Sequence, residues 1–506
     1  MDADNQQNEI ELKLFFPATE VSRLTTFLNS LPAATSQGCQ QLSNGYYDTP
    51  ELALRQLDMG LRVRGCDGKR EQTIKTAGRV SGGIHSRPEY NVDIDANSPV
   101  LSLFPAEIWP ENSDIDALQA RLACLFHTDF QRCRWLVVQG ESLIELALDT
   151  GTIAAGGQSE SLCELEFELK RGRAADLLPL AQQVAANLPM RLGKASKAQR
   201  GYRLAQQASP LALEALQYIS LPCDSDIKAT LLVVLETALE RWQLLEGMIA
   251  ESLDDPAGQA LLWQRLRSCV RLLRLTLGQF TLGNSQTDAG FFWLEQQLAF
   301  VTEANSLTRL AQDKLLLGKL ANAESVRERA VQQLQKMDFR SRLQALWQDC
   351  RYGQLQLQLV NMLLELASGE MQIAVAGGLK GTCDGLQELP GKNCWWPCRE
   401  TSSAVMIISS WQLPWMKVFW WGWPMAVSTH PRLVIVSARL AGLESGDHQS
   451  WRLCHGRAVG ARACRGFGRQ TAESDFCHGT IPQDGTAAAT LLALMPGKSS
   501  GRIARE

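Results

Sequence analysis

This chain of 506 residues has few of the features that mark the commoner kinds of ligand site. It contains 6 histidines, and none lies between Arg200 and Val427. The cysteines before residue 370 occur singly, without the paired spacing of a zinc site, so we expect reduced thiols and no structural disulfide there. Gly82-Gly83 and Gly156-Gly157 precede no helical pattern with a P-loop lysine, which excludes a Walker-type phosphate loop.

The chain also has no strong excess of charge of one sign and few long apolar segments. The net charge is -4, which gives no global attraction to nucleic acid or to an anionic membrane. Met1 to Asn8 is polar and acidic and lacks the apolar stretch of a secretory signal peptide. Val405 to Val427 is apolar, but Pro414 and Lys417 argue against a membrane span. We therefore expect a cytoplasmic protein with neither nucleic acid nor a membrane as partner.

Hydrophobic periodicity divides the chain into segments. Residues 1–205 show the period-two alternation of half-buried strands, and residues 206–222, which hold two prolines, read as a linker. Residues 223–369 show helical spacing, with Asp224 or Ser225 as the expected N-cap of the first helix. The buried face of that helix is predicted to consist of Leu231, Leu235, Ala238, Trp242, Leu245 and Ile249. The fold class predicted from this division is α+β.

The composition of residues 370–506 differs from that of the rest of the chain. Neither period persists, Asp and Glu become sparse, and the segment includes Cys394-Trp-Trp-Pro-Cys398. The spacing of its cysteines is wrong for a zinc knuckle. This tail resembles a frameshifted or unstructured segment more than a selected domain.

Charged residues alternate with apolar ones along seven predicted strands of the first segment. Glu9, Glu11 and Lys13, for example, share one face of their strand, opposite a face of Ile and Leu. Carboxylates dominate the first and last strands, and arginines and lysines dominate the middle ones. A sheet with one solvated, salt-bridged face is one interpretation. The other is a small antiparallel barrel that closes on the charged face and brings both signs around one cavity.

Such a cavity requires a ligand of matching chemistry. Dry burial of so many charges is prohibitive, so the cavity must be wet or hold a partner for both signs. A polyanion with hard cations satisfies this requirement, because carboxylates ligate Mg²⁺ while guanidinium and ammonium groups bind phosphate oxygens.

The ordered set of charged motifs resembles the CYTH domain, the triphosphate tunnel metalloenzyme family, over about residues 8–204. The family opens with Glu-x-Glu-x-Lys, which Glu9, Glu11 and Lys13 match. Further motifs follow in order: Tyr46-Tyr-Asp-Thr49, Leu61-Arg-Val-Arg64, Lys75, Arg87 with Glu89, Arg132 with Arg134, Leu148-Asp-Thr-Gly151, Glu164-Leu-Glu166 and Lys194-Ala-Ser-Lys197. The resemblance implies an eight-stranded antiparallel β-tunnel with metal ions, Mg²⁺ or Mn²⁺, at its centre.

The resemblance also implies roles for individual residues. The metal ligands would be Glu9, Glu11, Asp149, Glu164 and Glu166. The phosphates would be held by Lys13, Arg62, Arg64, Lys75, Arg87, Arg132 and Arg134, with Lys194 and Lys197 as additions from the closing helix. Glu9, Glu11, Lys13 and Lys75 are the candidate catalytic residues. The general base is open between a metal-ligating glutamate and Lys75, and Glu168 ranks below the matched ligands.

The helical segment resembles a CHAD domain, whose basic helices are associated with polyphosphate binding. Arg267, Arg271 and Arg274 share one helix face, but Gln264 stands where that family has histidine. A degenerate CHAD-like bundle that binds polyphosphate and a solvated face of Arg–Glu pairs are both open.

The function expected from these resemblances is metal-dependent hydrolysis of inorganic triphosphate to pyrophosphate and phosphate. The alternatives are a triphosphatase or cyclase acting on an organic triphosphate, such as thiamine triphosphate or ATP, and a polyphosphate-binding module without turnover. From the sequence alone, deletion of everything after Ala205 should leave turnover largely intact.

Overall fold

The computed structural model describes residues 8–66, 68–81, 84–111, 113–205, 218–220, 226–252, 254–312, 322–371 and 373, with the strands 404–408, 418–422 and 432–434. Most of the expected linker and tail, 206–222 and 370–506, lies outside the described residues.

The first 205 residues build a β-rich unit, called the tunnel unit below. Its strands are β1 (Asn8–Phe15), β2 (Ala34–Asp48), β3 (Gly60–Cys66), β4 (Lys69–Lys75), β5 (Arg79–Ser81), β6 (Ile84–Asp93), β7 (Ala123–Gln139), β8 (Ser142–Ala155), β9 (Gln158–Arg171) and β10 (Arg191–Leu192). Its helices are α1 (Val21–Ser30), α2 (Ala53–Gln56), α3 (Ile115–Ala120), α4 (Leu177–Asn187) and α5 (Lys197–Leu204).

The strands close into a barrel. Their order is β10-β1-β9-β8-β7-β2-β3-β4-β6-β5, and β1 also pairs with β6, which joins the two sides of the sheet. Eight strands therefore form a closed antiparallel ring, with β5 and β10 outside it. This confirms the predicted α+β fold, an antiparallel β-tunnel followed by helices.

Glycine turns connect the long strands. Gly156 and Gly157 have φ values of 56° and 79°, and the flanking residues Ala155 and Gln158 pair with each other. Two positive φ values are what a tight two-residue hairpin requires, and glycine adopts them without steric cost. This glycine pair is a strand connection, as the sequence indicates.

The apolar face of the barrel points outward into a hydrophobic core. Leu12 and Leu14 of β1 are 0% exposed and pack with α1 and α4, whereas Glu11 and Lys13, which alternate with them, point inward. Period-two alternation thus separates a hydrophobic exterior, covered by helices, from a charged interior.

The second half of the chain forms a helical unit. Its helices are α6 (Ile227–Glu251), α7 (Pro256–Gln279), α8 (Ser285–Gln297), α9 (Phe300–Gln312), α10 (Ala323–Gln335), α11 (Phe339–Trp347) and α12 (Cys350–Ser368). The predicted buried face of α6 is confirmed, since all six of its residues are at most 3% exposed. The N-cap is Asp226, whose side chain accepts the N–H of Ala229, so the expected cap was placed one or two residues too early.

The hydrophobic core of the helical unit is continuous with the exterior of the tunnel unit. One cluster of buried side chains runs from β1 and α4 through α6 and α12. Among the described residues, no helix has both the length and the apolar character that a membrane crossing requires. A separate small sheet is formed by β11 (Tyr218–Ser220), β12 (Ala404–Ile408), β13 (Val418–Gly422) and β14 (Arg432–Val434) in the order β11-β14-β12-β13.

The expectation of reduced thiols is wrong for one pair. Cys39 of β2 and Cys133 of β7 form a disulfide across neighbouring strands, with a sequence separation of 94. Spacing along the chain gives no sign of this pair, because only the β2–β7 register brings the two residues together.

Candidate active site

Three carboxylates from neighbouring strands meet inside the barrel. Asp149 of β8 and Glu164 of β9 are register partners, and Glu166 lies one inward-facing position further along β9. One oxygen of each lies within 4.8 Å of the others, an arrangement that could hold a metal ion. Asp149 and Glu164 are 0% exposed and Glu166 is 9% exposed. We call these three residues the carboxylate centre.

Three cations each contact at least two members of the carboxylate centre, and a fourth, Arg200 of α5, lies 3.6 Å from Glu164 Oε2. Arg132 of β7 donates from Nε and Nη2 to the two oxygens of Asp149 at 2.7 and 2.6 Å, and from Nη2 to Glu166 at 2.5 Å. Lys13 Nζ lies 3.0 Å from Glu166 and 3.4 Å from Glu164. Lys197 Nζ, from α5, lies 2.7 Å from Asp149 and 3.0 Å from Glu166 and also contacts Glu164. The buried charges therefore neutralise each other across four strands and one helix.

The members of the centre differ in how firmly they hold a negative charge. Burial acts to raise the pKa of Glu166, but the three cations outweigh it and hold that pKa well below its ordinary value. Burial raises the pKa of Glu164, although Lys13 and Lys197 oppose it. The Oε2 atom of Glu164 is buried and has no hydrogen-bond partner among the described residues. An unsatisfied carboxylate oxygen beside two other carboxylates is suited to a hard divalent cation.

A second ionic group lies where β1, β4 and β6 meet. Lys75 contacts Glu9 and lies 2.9 Å from Glu89, whose other oxygen is 3.3 Å from Arg62. Burial raises the pKa of Glu9 to about 7, with Glu11 and Glu89 adding to the effect. The carboxylates Glu9 and Glu89 outweigh burial and raise the pKa of Lys75, so Lys75 stays protonated at neutral pH.

Glu11 lies between the two groups, beside a histidine that is not among the site residues predicted from the sequence. Its Oε1 is 4.0 Å from Lys13 Nζ, and its register partner on β6 is His85. Burial lowers the pKa of His85 to about 4, so its imidazole is neutral. The signal for His85 was present in the sequence, because it alternates with Arg87 and Glu89 on the inward face of one strand.

The remaining predicted phosphate ligands lie away from the carboxylate centre. Arg64 Nε donates to Asn44 at 2.9 Å, and burial lowers the pKa of Arg64 to about 10. Arg87 is the register partner of Glu9. Arg134 lies 3.8 Å from Glu145 and is a third exposed, and Lys194 lies 3.0 Å from Glu240 of α6. The structure thus groups Lys13, Arg132 and Lys197 with three of the five predicted metal ligands, and distributes the other cations along the barrel.

Aromatic and aliphatic side chains fill the barrel beyond the charges. Tyr46 stacks on Phe126 with ring centroids 4.5 Å apart, and Tyr202 of α5 meets the edge of Phe126. Phe130 lies between this cluster and the carboxylate centre, with Lys197 Nζ 5.2 Å from its ring centroid. Helix α5 therefore packs against an apolar cluster that adjoins the carboxylate centre.

Within two of the recognised motifs, Asp48 and Ser196 have structural roles. Asp48 accepts the backbone N–H groups of Thr49, Leu54 and Arg55 and the hydroxyl of Tyr202, and is 0% exposed. The Ser196 side chain accepts the N–H of Gln199 in a capping box. These residues fix the turn after β2 and the start of α5, and so position Lys197.

Comparison with known proteins agrees with this architecture. Residues 7–202 match the CYTH domain. The chain is 37% identical over 201 residues to an inorganic triphosphatase of Haemophilus influenzae, which covers 39% of this chain and 54% of that protein. The chain thus spans about half the length of the curated relative it matches.

Two solved structures are similar to the tunnel unit. One is a Hippeastrum protein, named as a proposed adenylyl cyclase with a dominant triphosphatase activity (20% identity, 41% of this chain, 99% of that chain, TM-score 0.29). The other is a protein from Pyrococcus horikoshii OT3 (17% identity, 40% and 99% coverage, TM-score 0.27). At these values neither structure bears on the activity of this chain. Residues 7–202, which match the CYTH domain, are the part of the chain that builds the closed eight-stranded barrel.

Proposed function

We propose that the tunnel unit hydrolyses inorganic triphosphate to pyrophosphate and phosphate, with the help of a divalent metal ion. The observation that carries this proposal is the carboxylate centre, with Lys13, Arg132 and Lys197 around it. The name of the Haemophilus relative, inorganic triphosphatase, supports the same reaction.

The donor set fits a hard cation. Asp149, Glu164 and Glu166 offer only oxygen ligands, and the Oε2 atom of Glu164 accepts no hydrogen bond among the described residues, with Arg200 Nη1 3.6 Å away. These residues would hold the metal, with Glu9 and Glu11 as the further predicted ligands. A bound Mg²⁺ or Mn²⁺ would neutralise charge on the phosphate oxygens and make a water molecule more nucleophilic.

Substrate binding in this site is an exchange of ionic partners. Lys13, Arg132 and Lys197 already touch carboxylates, so a phosphate group that binds them takes over that role. The fork of Arg132, now bidentate to Asp149, matches two phosphate oxygens equally well. Because the cationic side chains are held in place before binding, they need little further ordering when the polyanion enters.

The chemical step relies on charge and position more than on a nucleophilic side chain. Of the two candidates for the general base, Lys75 is the weaker, because its neighbours Glu9 and Glu89 keep it protonated. That leaves a glutamate of the tunnel to accept the proton of the attacking water, while Lys75 and Arg62 act as cations.

The alternatives differ from this proposal in what the tunnel must accommodate. A nucleotide or thiamine group needs an apolar surface to stack on, and the rings of Tyr46 and Phe126 already stack on each other under α5. A binding module without turnover needs the cations, but not three buried carboxylates among them. Both points favour hydrolysis of the bare polyanion.

The test is phosphate release from inorganic triphosphate, compared with ATP and thiamine triphosphate, in Mg²⁺ and in EDTA. We expect fast release from inorganic triphosphate that EDTA abolishes. A preference for ATP would transfer the proposal to nucleotide chemistry, and tight binding without release would show a binding module.

A further inference from the structure

The helical unit contacts the backbone of the tunnel unit directly. Gly353 of α12 lies so close to Met190 that a Cβ at position 353 would be 2.0 Å from the Met190 carbonyl oxygen. Any side chain at position 353 would have to push α12 away from Met190 and from β10, the strand that begins at the next residue. Glycine at 353 therefore permits a close approach between the two units.

A buried hydrogen-bond network continues from this contact. Gln356 of α12 accepts the Leu192 N–H of β10 at 2.8 Å and donates to Glu246 of α6 at 2.8 Å. The Tyr352 hydroxyl donates to the same oxygen of Glu246 at 2.5 Å, and Glu246 is 0% exposed. A backbone group of the tunnel unit thus has its hydrogen-bond partner in the helical unit.

Ionic contacts extend the network along the next residues of the tunnel unit. Arg191 lies 3.6 Å from Glu246, with its guanidinium 3.9 Å from the ring centroid of Trp347 of α11. Two further contacts join residues 191–203 to α6, Lys194 with Glu240 at 3.0 Å and Arg203 with Glu251 at 2.6 Å.

The segment held in this way supports two cations of the active site. Leu192 pairs with Leu14 of β1, and the Gly193 N–H donates to the Lys13 carbonyl at 2.9 Å. Four residues later, α5 begins with Lys197, whose ammonium lies in the carboxylate centre. As β10 is only two residues long, its pairing with β1 gives it little support of its own.

We propose that the helical unit positions Lys13 and Lys197, with Glu246 and Gln356 as positioning residues that hold segment 191–203 against β1. The effect expected on triphosphate binding and turnover rests on the proposed function, whereas the effect expected on hydrogen exchange does not. This positioning role reverses the expectation from sequence that the helices are dispensable for turnover.

The test uses the full chain with two variants and a matched control for each. Gln356→Ala removes the acceptor of the Leu192 N–H, and its control is Gln243→Ala, since Gln243 donates to the Leu239 carbonyl of its own helix. Gly353→Ala forces α12 away from Met190, and its control is Gly247→Ala in α6, where a Cβ meets no atom of the described residues within 4 Å. Hydrogen exchange and triphosphate affinity are measured well below each variant's melting temperature.

We expect Gln356→Ala to speed exchange at the Gly193 and α5 amides and to weaken triphosphate binding about fivefold, the effect of one lost hydrogen bond. Gly353→Ala should act in the same direction and more strongly, and if it does not fold, Gln356→Ala decides. Exchange in residues 191–204 equal to that of the control would overturn the proposal, even if the melting temperature fell. The exchange comparison needs no ligand, so it decides the positioning role even if the wild-type protein proves not to hydrolyse triphosphate.

Discussion

Arg132 with Asp149 in the tunnel and Arg271 with Glu295 in the helical unit are both two-pronged arginine–carboxylate pairs, with distances of 2.7 and 2.6 Å in the first and 2.8 and 3.1 Å in the second. Their surroundings differ. Asp149 belongs to a group of three carboxylates and four cations, and one carboxylate oxygen of that group accepts no hydrogen bond among the described residues.

The charges of the Arg271–Glu295 pair in the helical unit are satisfied by neighbouring side chains. Glu295 serves Arg271 and also Arg267, which donates to Thr302 at 2.8 Å. These groups come from three neighbouring helices and form a local contact between partly buried side chains. A closed sheet brings many charges to one space and leaves them able to exchange partners, whereas the helical pair uses its charges to join helices. A two-pronged arginine–carboxylate pair therefore indicates a ligand site in the tunnel but not in the helical unit.

The largest expected effect follows from removing a carboxylate of the tunnel. Glu166→Gln keeps the side-chain volume but takes a negative charge from the centre, so turnover of inorganic triphosphate should fall by about 10³-fold or more while the protein still folds. Steady-state phosphate release and circular dichroism measure the two quantities. Glu295→Gln is the control and should leave turnover unchanged. A Glu166→Gln protein with more than a tenth of wild-type turnover would contradict the metal assignment.

The alternation that places Glu9, Glu11 and Lys13 on one face is local, and it predicted the charged interior correctly. Which anion meets which cation is not local. Lys197 reaches Asp149 because the strand register and the capping box at Ser196 bring α5 over the barrel. The disulfide between Cys39 and Cys133 depends on register in the same way.

Glu246 was missed for a different reason. A single glutamate on a long amphipathic helix reads as a surface residue, and only the docking of α12 buries it. His85, in contrast, shared the inward face of its strand with Arg87, so the alternation could have identified it. Sequence patterns predict faces of elements well, and they miss the partners that tertiary packing supplies.

The buried carboxylate of Glu246 gives a pH-dependent prediction. Burial raises its pKa to about 7, although Arg191 of β10 and the hydrogen bonds from Tyr352 and Gln356 of α12 oppose this, as does Trp242 of its own helix. The folded protein then binds more protons than the unfolded one between about pH 4.5 and pH 7, so stability falls as the pH rises through that window. A glutamine at position 246 does not titrate, so the Glu246→Gln variant does not lose stability in this way. The free energy of unfolding of the variant minus that of the wild type should therefore increase by up to about 3 kcal/mol from pH 4.5 to pH 7.

Thermal unfolding of both proteins between pH 5 and pH 8 measures the difference, and parallel profiles would contradict the raised pKa. Glu295→Gln is again the control. Burial acts to raise the pKa of Glu295, but the hydrogen bond from Arg271 outweighs it and holds the pKa below the ordinary value. Its contribution is therefore lost only at lower pH, and the difference between Glu295→Gln and wild type should stay constant from pH 5 to pH 8.

Exchanging arginine for lysine should separate the two pairs more finely. Arg132→Lys keeps the charge but loses the fork that holds Asp149, so kcat/KM for triphosphate should fall about tenfold, the equivalent of one charge-assisted hydrogen bond. The matched change Arg271→Lys breaks an equivalent fork in the helical unit and should lower the melting temperature slightly without changing kcat/KM. Equal kinetic losses in both variants would remove the distinction between the pairs.

The smallest effect concerns polyphosphate, which the helical unit is predicted to bind only if its arginines are available. Arg267 and Arg271 are engaged by Glu295, whereas Arg274 on the same face is exposed. Glu295→Gln releases the two engaged cations, and because partly exposed ion pairs are worth about 1 kcal/mol or less, polyphosphate should bind up to about fivefold more tightly and in a salt-dependent way. Calorimetry in a background that also carries Glu166→Gln, with inorganic polyphosphate at two salt concentrations, measures this gain. If neither protein binds, the arginine face serves helix packing, and the hypothesis of polyphosphate binding by the helical unit is wrong.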